Sequence, residues 1–124
     1  MNGVAMLRTS TLRLYVQRIL ALYRHTPGAS GIVRRADRQL AAELYRRQIP
    51  LDLVVNALVV ATARRTFRPG DAPPLRPIAT LHYFRPVIDE LLATPLEPGY
   101  LDYLRYRLAS AKPTFVAAIN HQLP

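Results

Sequence analysis

Apolar residues crowd the middle of the chain and thin into helical stripes on either side of it. In Pro50 to Phe67, PLDLVVNALVVATARRTF, only Asp52, Asn56 and Thr62 are polar between Leu51 and Ala63. Apolar side chains there point in every direction around a 3.6-residue turn, which is the signature of a buried helix. A Val-rich run also suits a buried strand. Its length, Pro50 at the start and Arg64, Arg65 and Arg68 at the end favour helix, because the cations complement the negative end of the helix dipole.

On the N-terminal side, Leu12, Tyr15, Val16, Ile19, Leu22 and Tyr23 recur at helical spacing. They predict a first helix capped by Thr9 or Ser10 and ending before Pro27-Gly28, with residues 1–9 as a loose arm carrying Arg8. A second helix follows over about 33–48, with Val33, Ala36, Leu40 and Leu44 inward and Glu43 spaced to pair with Arg47. The short link Gln48-Ile49-Pro50 makes the second and third helices neighbours. Residues 68–79 form a proline-rich connection, stiff and extended, that contains a Pro74-x-x-Pro77 match best read as a spacer.

Beyond it, Thr80 caps LHYFRPVIDELLAT, where Pro86 forces a kink or a start near Arg85 and Val87, Leu91 and Leu92 face the core. Tyr100–Ala109 reads as a fifth helix with Leu101, Leu104 and Leu108 in line, and Pro113 opens a short last one. The chain is expected to be all-α: one domain over residues 1–124, a compact bundle of five to six helices around the central helix at about 51–67.

At 124 residues, half of them hydrophobic and a fifth charged, the composition is that of a globular domain. Cysteine is absent, which removes disulfides and thiolate chemistry. The central apolar run is too short to span a bilayer, and MNGVAMLRTST lacks the apolar block of a secretory signal, so the protein is expected in the cytoplasm.

Charge alters the picture more than composition does. Residues 1–68 hold twelve arginines against Asp37, Glu43 and Asp52, whereas residues 69–124 hold five bases and five acids. The whole excess of +9 thus lies in the first half, and sixteen of the seventeen basic residues are arginine. Arginine forks onto phosphate better than lysine does, and clustered positive charge is the footprint of a polyanion binder. An arginine-rich codon bias decorating an ordinary surface is the competing reading; the asymmetry between the halves favours function.

Catalytic constellations are not evident. His25, His82 and His121 are scattered, with no HExxH spacing and no acid one turn away, and adjacent Asp89 and Glu90 diverge on a helix. No metal-ligand cluster, cofactor motif or phosphate-cradling glycine loop is present in the sequence, so an enzyme is not expected. LAAELYRRQIPLDLVVNAL invites a helix-turn-helix reading, but its second helix offers base edges almost nothing polar. The nucleic-acid candidates are therefore Arg34, Arg35, Arg38, Arg46 and Arg47, with Arg64, Arg65 and Arg68 at the exit of the central helix. Arg13, Arg18 and Arg24 extend the set, and the contacts would go to phosphate rather than to base. Tyr100, Tyr103 and Tyr106 read as a core rim with solvated hydroxyls in preference to a base-stacking ladder. Asn56 is expected to bond a neighbouring carbonyl.

IPLDLVVNALVVATARR followed by PIATLHYFRPVIDELL resembles the C-terminal helical domain of DnaD-type primosome proteins and phage replication initiators. The likeness covers about residues 40–93, with Tyr83, Val87 or Ile88, and Leu91 standing for that family's Tyr–Ile–Leu spacing. The chain departs from the pattern in lacking its tryptophan, in Pro86 and in the proline-rich connection. The resemblance implies a replication or mobile-element accessory that binds DNA and other proteins. The alternatives are a protein–protein adaptor or oligomerisation module with an acidic protein partner and, more remotely, a basic helix lying on anionic membrane at Leu12–Tyr23.

Overall fold

The computed structural model describes residues 2–122, with side chains over 11–121. It is all-helical. α1 spans Asn2–His25, α2 Arg35–Arg46, α3 Leu51–Thr66, α4 Arg85–Ala93, α5 Pro98–Ala111 and α6 Pro113–Gln122, and a 3₁₀ turn at Leu81–Phe84 precedes α4. Every residue from Ala57 to Ala63 is buried, as are Val54 and Val55. α3 is therefore the axis of the bundle, sheathed by α1, α4 and α5, while α6 closes the far side across α1 and α5.

α1 begins at Asn2 rather than near Ser10. The expected arm rested on missing periodicity, which reports packing and not backbone; Ala5, Met6, Leu7 and Arg8 are good helix formers with no breaker after Gly3. The side chains of residues 2–10, Arg8 included, lie outside the described set. α2 is shorter than expected, with Arg34 as its N-cap. Its buried line is Asp37, Leu40, Ala41 and Leu44; Ala36 is exposed, because one residue of register turns the stripe by more than a quarter of a revolution.

α2 ends in a Schellman-type turn. Ile49 N–H bonds the Leu44 carbonyl (3.1 Å) and Gln48 N–H the Tyr45 carbonyl (2.9 Å), with Gln48 held at φ 61°. The chain then enters α3 through Pro50 at φ −58° and ψ 142°. α2 packs on α1 instead of lying along α3. Tyr15 fixes that contact: its ring meets Tyr45 edge-on at 5.2 Å and its hydroxyl donates to the Ile49 carbonyl at 2.8 Å. Burial pushes the Tyr15 phenol up to about 12.

The proline-rich connection is pinned at its end. Ile78 N–H donates to the Gly28 carbonyl (2.7 Å) and the Ile78 carbonyl accepts from Ser30 N–H (3.1 Å), an isolated parallel bridge to the turn after α1. Ile78 is buried. Thr80 caps the 3₁₀ turn through His82 N–H, and α4 starts at Arg85, as Pro86 requires. On α4 the inward residues are Ile88 and Leu91, with Leu92 41% exposed at the edge of the stripe in the last turn. Asn56 accepts from Arg105 Nη2 at 2.9 Å, a link from α3 to α5 and not a bond to a nearby carbonyl.

Candidate nucleic-acid interface

The eight candidate arginines divide into two groups with different surroundings. The first lies on α2, an outward helix because its one apolar stripe is spent on α1. Arg35, Arg38, Ala42 and Arg46 recur at spacings of three and four on the side opposite Leu40 and Leu44. From Arg35 to Arg46 that line runs about 16 Å. Arg34 and Arg47 flank it at the two ends of the helix. All five of these arginines are exposed, and among the described residues none forms an ion pair. Glu43, expected to neutralise Arg47, lies instead 3.9 Å from Arg85. Arg47 N–H still bonds the Glu43 carbonyl at 2.9 Å, so the two residues keep the i,i+4 register and it is the side chain of Glu43 that turns to Arg85 instead.

The second group, at the end of α3, has partners inside the molecule. Arg64 forks onto Glu90 of α4, Nη1 to Oε2 at 2.9 Å and Nη2 to Oε1 at 2.6 Å. The hydrogen bond and charge of Arg64 hold the Glu90 carboxyl below its usual range. Arg65 donates to the Arg76 carbonyl (3.1 Å) and to the Tyr83 hydroxyl (3.3 Å), and its guanidinium lies 5.5 Å from the Tyr83 ring centre. Arg68 donates to the Pro73 carbonyl at 2.8 Å. Arg65 and Arg68 thus satisfy carbonyls of a proline-rich segment with few N–H groups of its own.

The tertiary contacts gather part of the two groups at one pole. The α1–α2 turn meets Ile78, Gly28 faces the Arg65 guanidinium, and Asp37 of α2 bonds Thr80 and Leu81. Arg24 and His25 end α1 at this pole, beside Arg34, Arg35 and Arg38 at the start of α2. Arg46 and Arg47 lie at the other end, near Tyr15 and Ile49. Arg13 is exposed on α1 and Arg18 half-buried.

Asp37, counted from sequence only as an acid, is the tie that makes this pole. Its buried carboxylate accepts from Arg34 N–H (2.8 Å), Leu81 N–H (2.9 Å) and the Thr80 hydroxyl (2.9 Å). Burial pushes its pKa upward, but these donors and the nearby His82 outweigh it, and the net shift is downward. An acid three residues after a helix start was the available signal for its capping role.

α5 presents a different surface. Tyr100, Tyr103 and Tyr106 are 50%, 51% and 79% exposed, too far out for a core rim. Tyr100 and Tyr103 stack obliquely at 6.4 Å, and Arg107 covers the Phe67 ring at 4.0 Å. Among the described residues no three His, Cys, Asp or Glu side chains gather where a metal could sit, and no helix is long and apolar enough to cross a membrane. No protein-family model matches the chain, and neither a curated protein nor a solved structure shows significant similarity to it.

Proposed function

We propose that this is a non-enzymatic, cytoplasmic nucleic-acid-binding accessory protein that grips phosphates with the arginines of the α1–α2 pair. One observation carries the reading: Arg35, Arg38 and Arg46 line the outward face of α2 with no carboxylate partner among the described residues. Arg34, Arg47, Arg13 and Arg24 extend the same field, while Arg64, Arg65 and Arg68 serve mainly to tie α3 to its neighbours. Phosphate contacts of this kind carry little sequence choice and are strongly weakened by salt. The resemblance of residues 40–93 to DnaD-type proteins supplies the replication or mobile-element setting.

Binding to duplex and single strands across a salt series tests it. Replacing Arg35, Arg38 and Arg46 together by Ala is expected to reduce the slope of log affinity against log salt by about 3, one for each phosphate no longer neutralised. Circular dichroism should be unchanged, since all three side chains are exposed. Absence of binding at low salt, or an unaltered slope in the triple variant, refutes the reading.

The exposed α5 tyrosines favour a second reading, a protein–protein adaptor, because tyrosine is enriched at contact surfaces. Under it, Tyr103→Ser and Tyr106→Ser abolish self-association or partner binding in sedimentation and leave nucleic-acid affinity intact.

A further inference from the structure

We infer that a cavity of about 190 Å³ between the α1–α2 turn, α3 and the α5–α6 junction is a binding site for a phosphate monoester. Thr62, Arg65, Thr66 and Lys112 line it beside Gly28 and the apolar Pro27 and Leu75, with no carboxylate among its lining residues. Lys112 is the only lysine of the chain and sits where α5 hands over to α6. Neither it nor Arg65 has an acidic partner among the described residues. Two basic residues therefore border one small space.

The hydroxyls mark this space as more than a gap between helices. A buried threonine on a helix ordinarily returns its hydroxyl to the carbonyl one turn back. Thr66 does so, donating to the Thr62 carbonyl at 2.8 Å. Thr62, only 1% exposed, does not: its Oγ1 has no hydrogen-bond partner. A buried hydroxyl left unbonded is costly, and because Thr62 borders the cavity, rotation about its χ1 would offer that hydroxyl to a ligand oxygen.

Arg65 is pre-positioned for such a ligand. The Arg76 carbonyl and the Tyr83 hydroxyl take two of its five N–H groups, which locks the guanidinium plane and leaves the others available. Gly28 lets the backbone come close to that plane. A Cβ there would lie 2.8 Å from Arg65 Nη2, and the residue sits at φ +86°. Two uncompensated cations match a dianionic monoester better than a carboxylate, which neutralises only one of them. The volume holds a phosphate group with its ester substituent directed to solvent.

This inference does not rest on the nucleic-acid reading, and its test is separate. Inorganic phosphate is titrated into the protein against chloride at matched ionic strength, following the amide resonances of Gly28, Thr62, Arg65 and Lys112. Saturable shifts with phosphate alone are expected. Lys112→Met and Thr62→Val should each weaken phosphate binding by about tenfold or more. Thr62→Val removes only the unpartnered hydroxyl, so its melting temperature without phosphate is expected to be unchanged or raised. The Arg35, Arg38, Arg46 triple alanine variant should bind phosphate normally. Responses equal to those of chloride, or wild-type affinity in both Lys112→Met and Thr62→Val, overturn the site. Strands bearing a 5′-phosphate or a 5′-hydroxyl then identify the source. A 5′-phosphate advantage that is lost in Lys112→Met assigns the site to nucleic-acid ends, and equal binding of the two strands assigns it to small phosphoesters.

Discussion

A single carboxylate holds two distant parts of the chain together. Asp37 completes the first turn of α2 and reaches 44 residues along the sequence to Leu81 N–H. Removing it leaves two N–H groups without an acceptor, so Asp37→Ala is expected to cost about 3 kcal/mol by chemical denaturation. The pH dependence follows from the depressed pKa. The ionised form favours folding, so the contribution is complete above the unfolded carboxylate value and is lost as pH falls through the lower folded value. Asp37→Asn should therefore be less stable at neutral pH and show a shallower acid limb, converging on the wild type at the acid end. Parallel limbs would show that Asp37 is not the titrating group. The sequence signals the cap through an acid in the first turn, but not the reach to Thr80 and Leu81, because only the fold brings them beside residue 37.

Among the elements, α3 and the turn that feeds it behave differently. α3 was legible because an all-round apolar run has one stable placement, inside. The preceding turn was not, since a Schellman close usually announces itself with glycine and here carries Gln48 at φ 61°. A non-glycine residue in that region is strained, and the Gln48 side chain points to solvent, so little is lost with it. Gln48→Gly is expected to stabilise the protein by up to about 1 kcal/mol, raising the melting temperature by a few degrees in calorimetry. A fall would mean that the lost backbone restriction outweighs the relieved strain. The amphipathic stripes of α1 and α5 were readable from their helical periodicity, whereas Ala36 and Leu92 fell at stripe edges where one residue of register changes burial.

On the scale of the whole molecule, the net charge of +9 is carried by the N-terminal half, and tertiary contacts fold much of it toward one pole. Like charges held close oppose the compact state, and salt screens them over about 8 Å at physiological strength. Added chloride should therefore raise the melting temperature in scanning fluorimetry, and a short polyanion should raise it further by binding the folded state. A melting temperature that falls with salt would mean that the Arg64–Glu90 type of ion pair dominates over repulsion.

By itself the sequence determined the helical class, the central rod, the breaks at proline and glycine, and an excess of arginine confined to one half. Each of these is local: periodicity, ring geometry and counted charge need no knowledge of what lies across the core. The tertiary structure decided which arginines stay free and which are held by other parts of the chain. Whether Arg64 finds Glu90, or Arg65 a carbonyl at residue 76, depends on elements that meet only after folding. It also decided that Thr62 and Lys112, fifty residues apart, border one cavity. Partner choice among charged and polar groups is set by distance in space, and that distance is fixed by the packing of apolar faces.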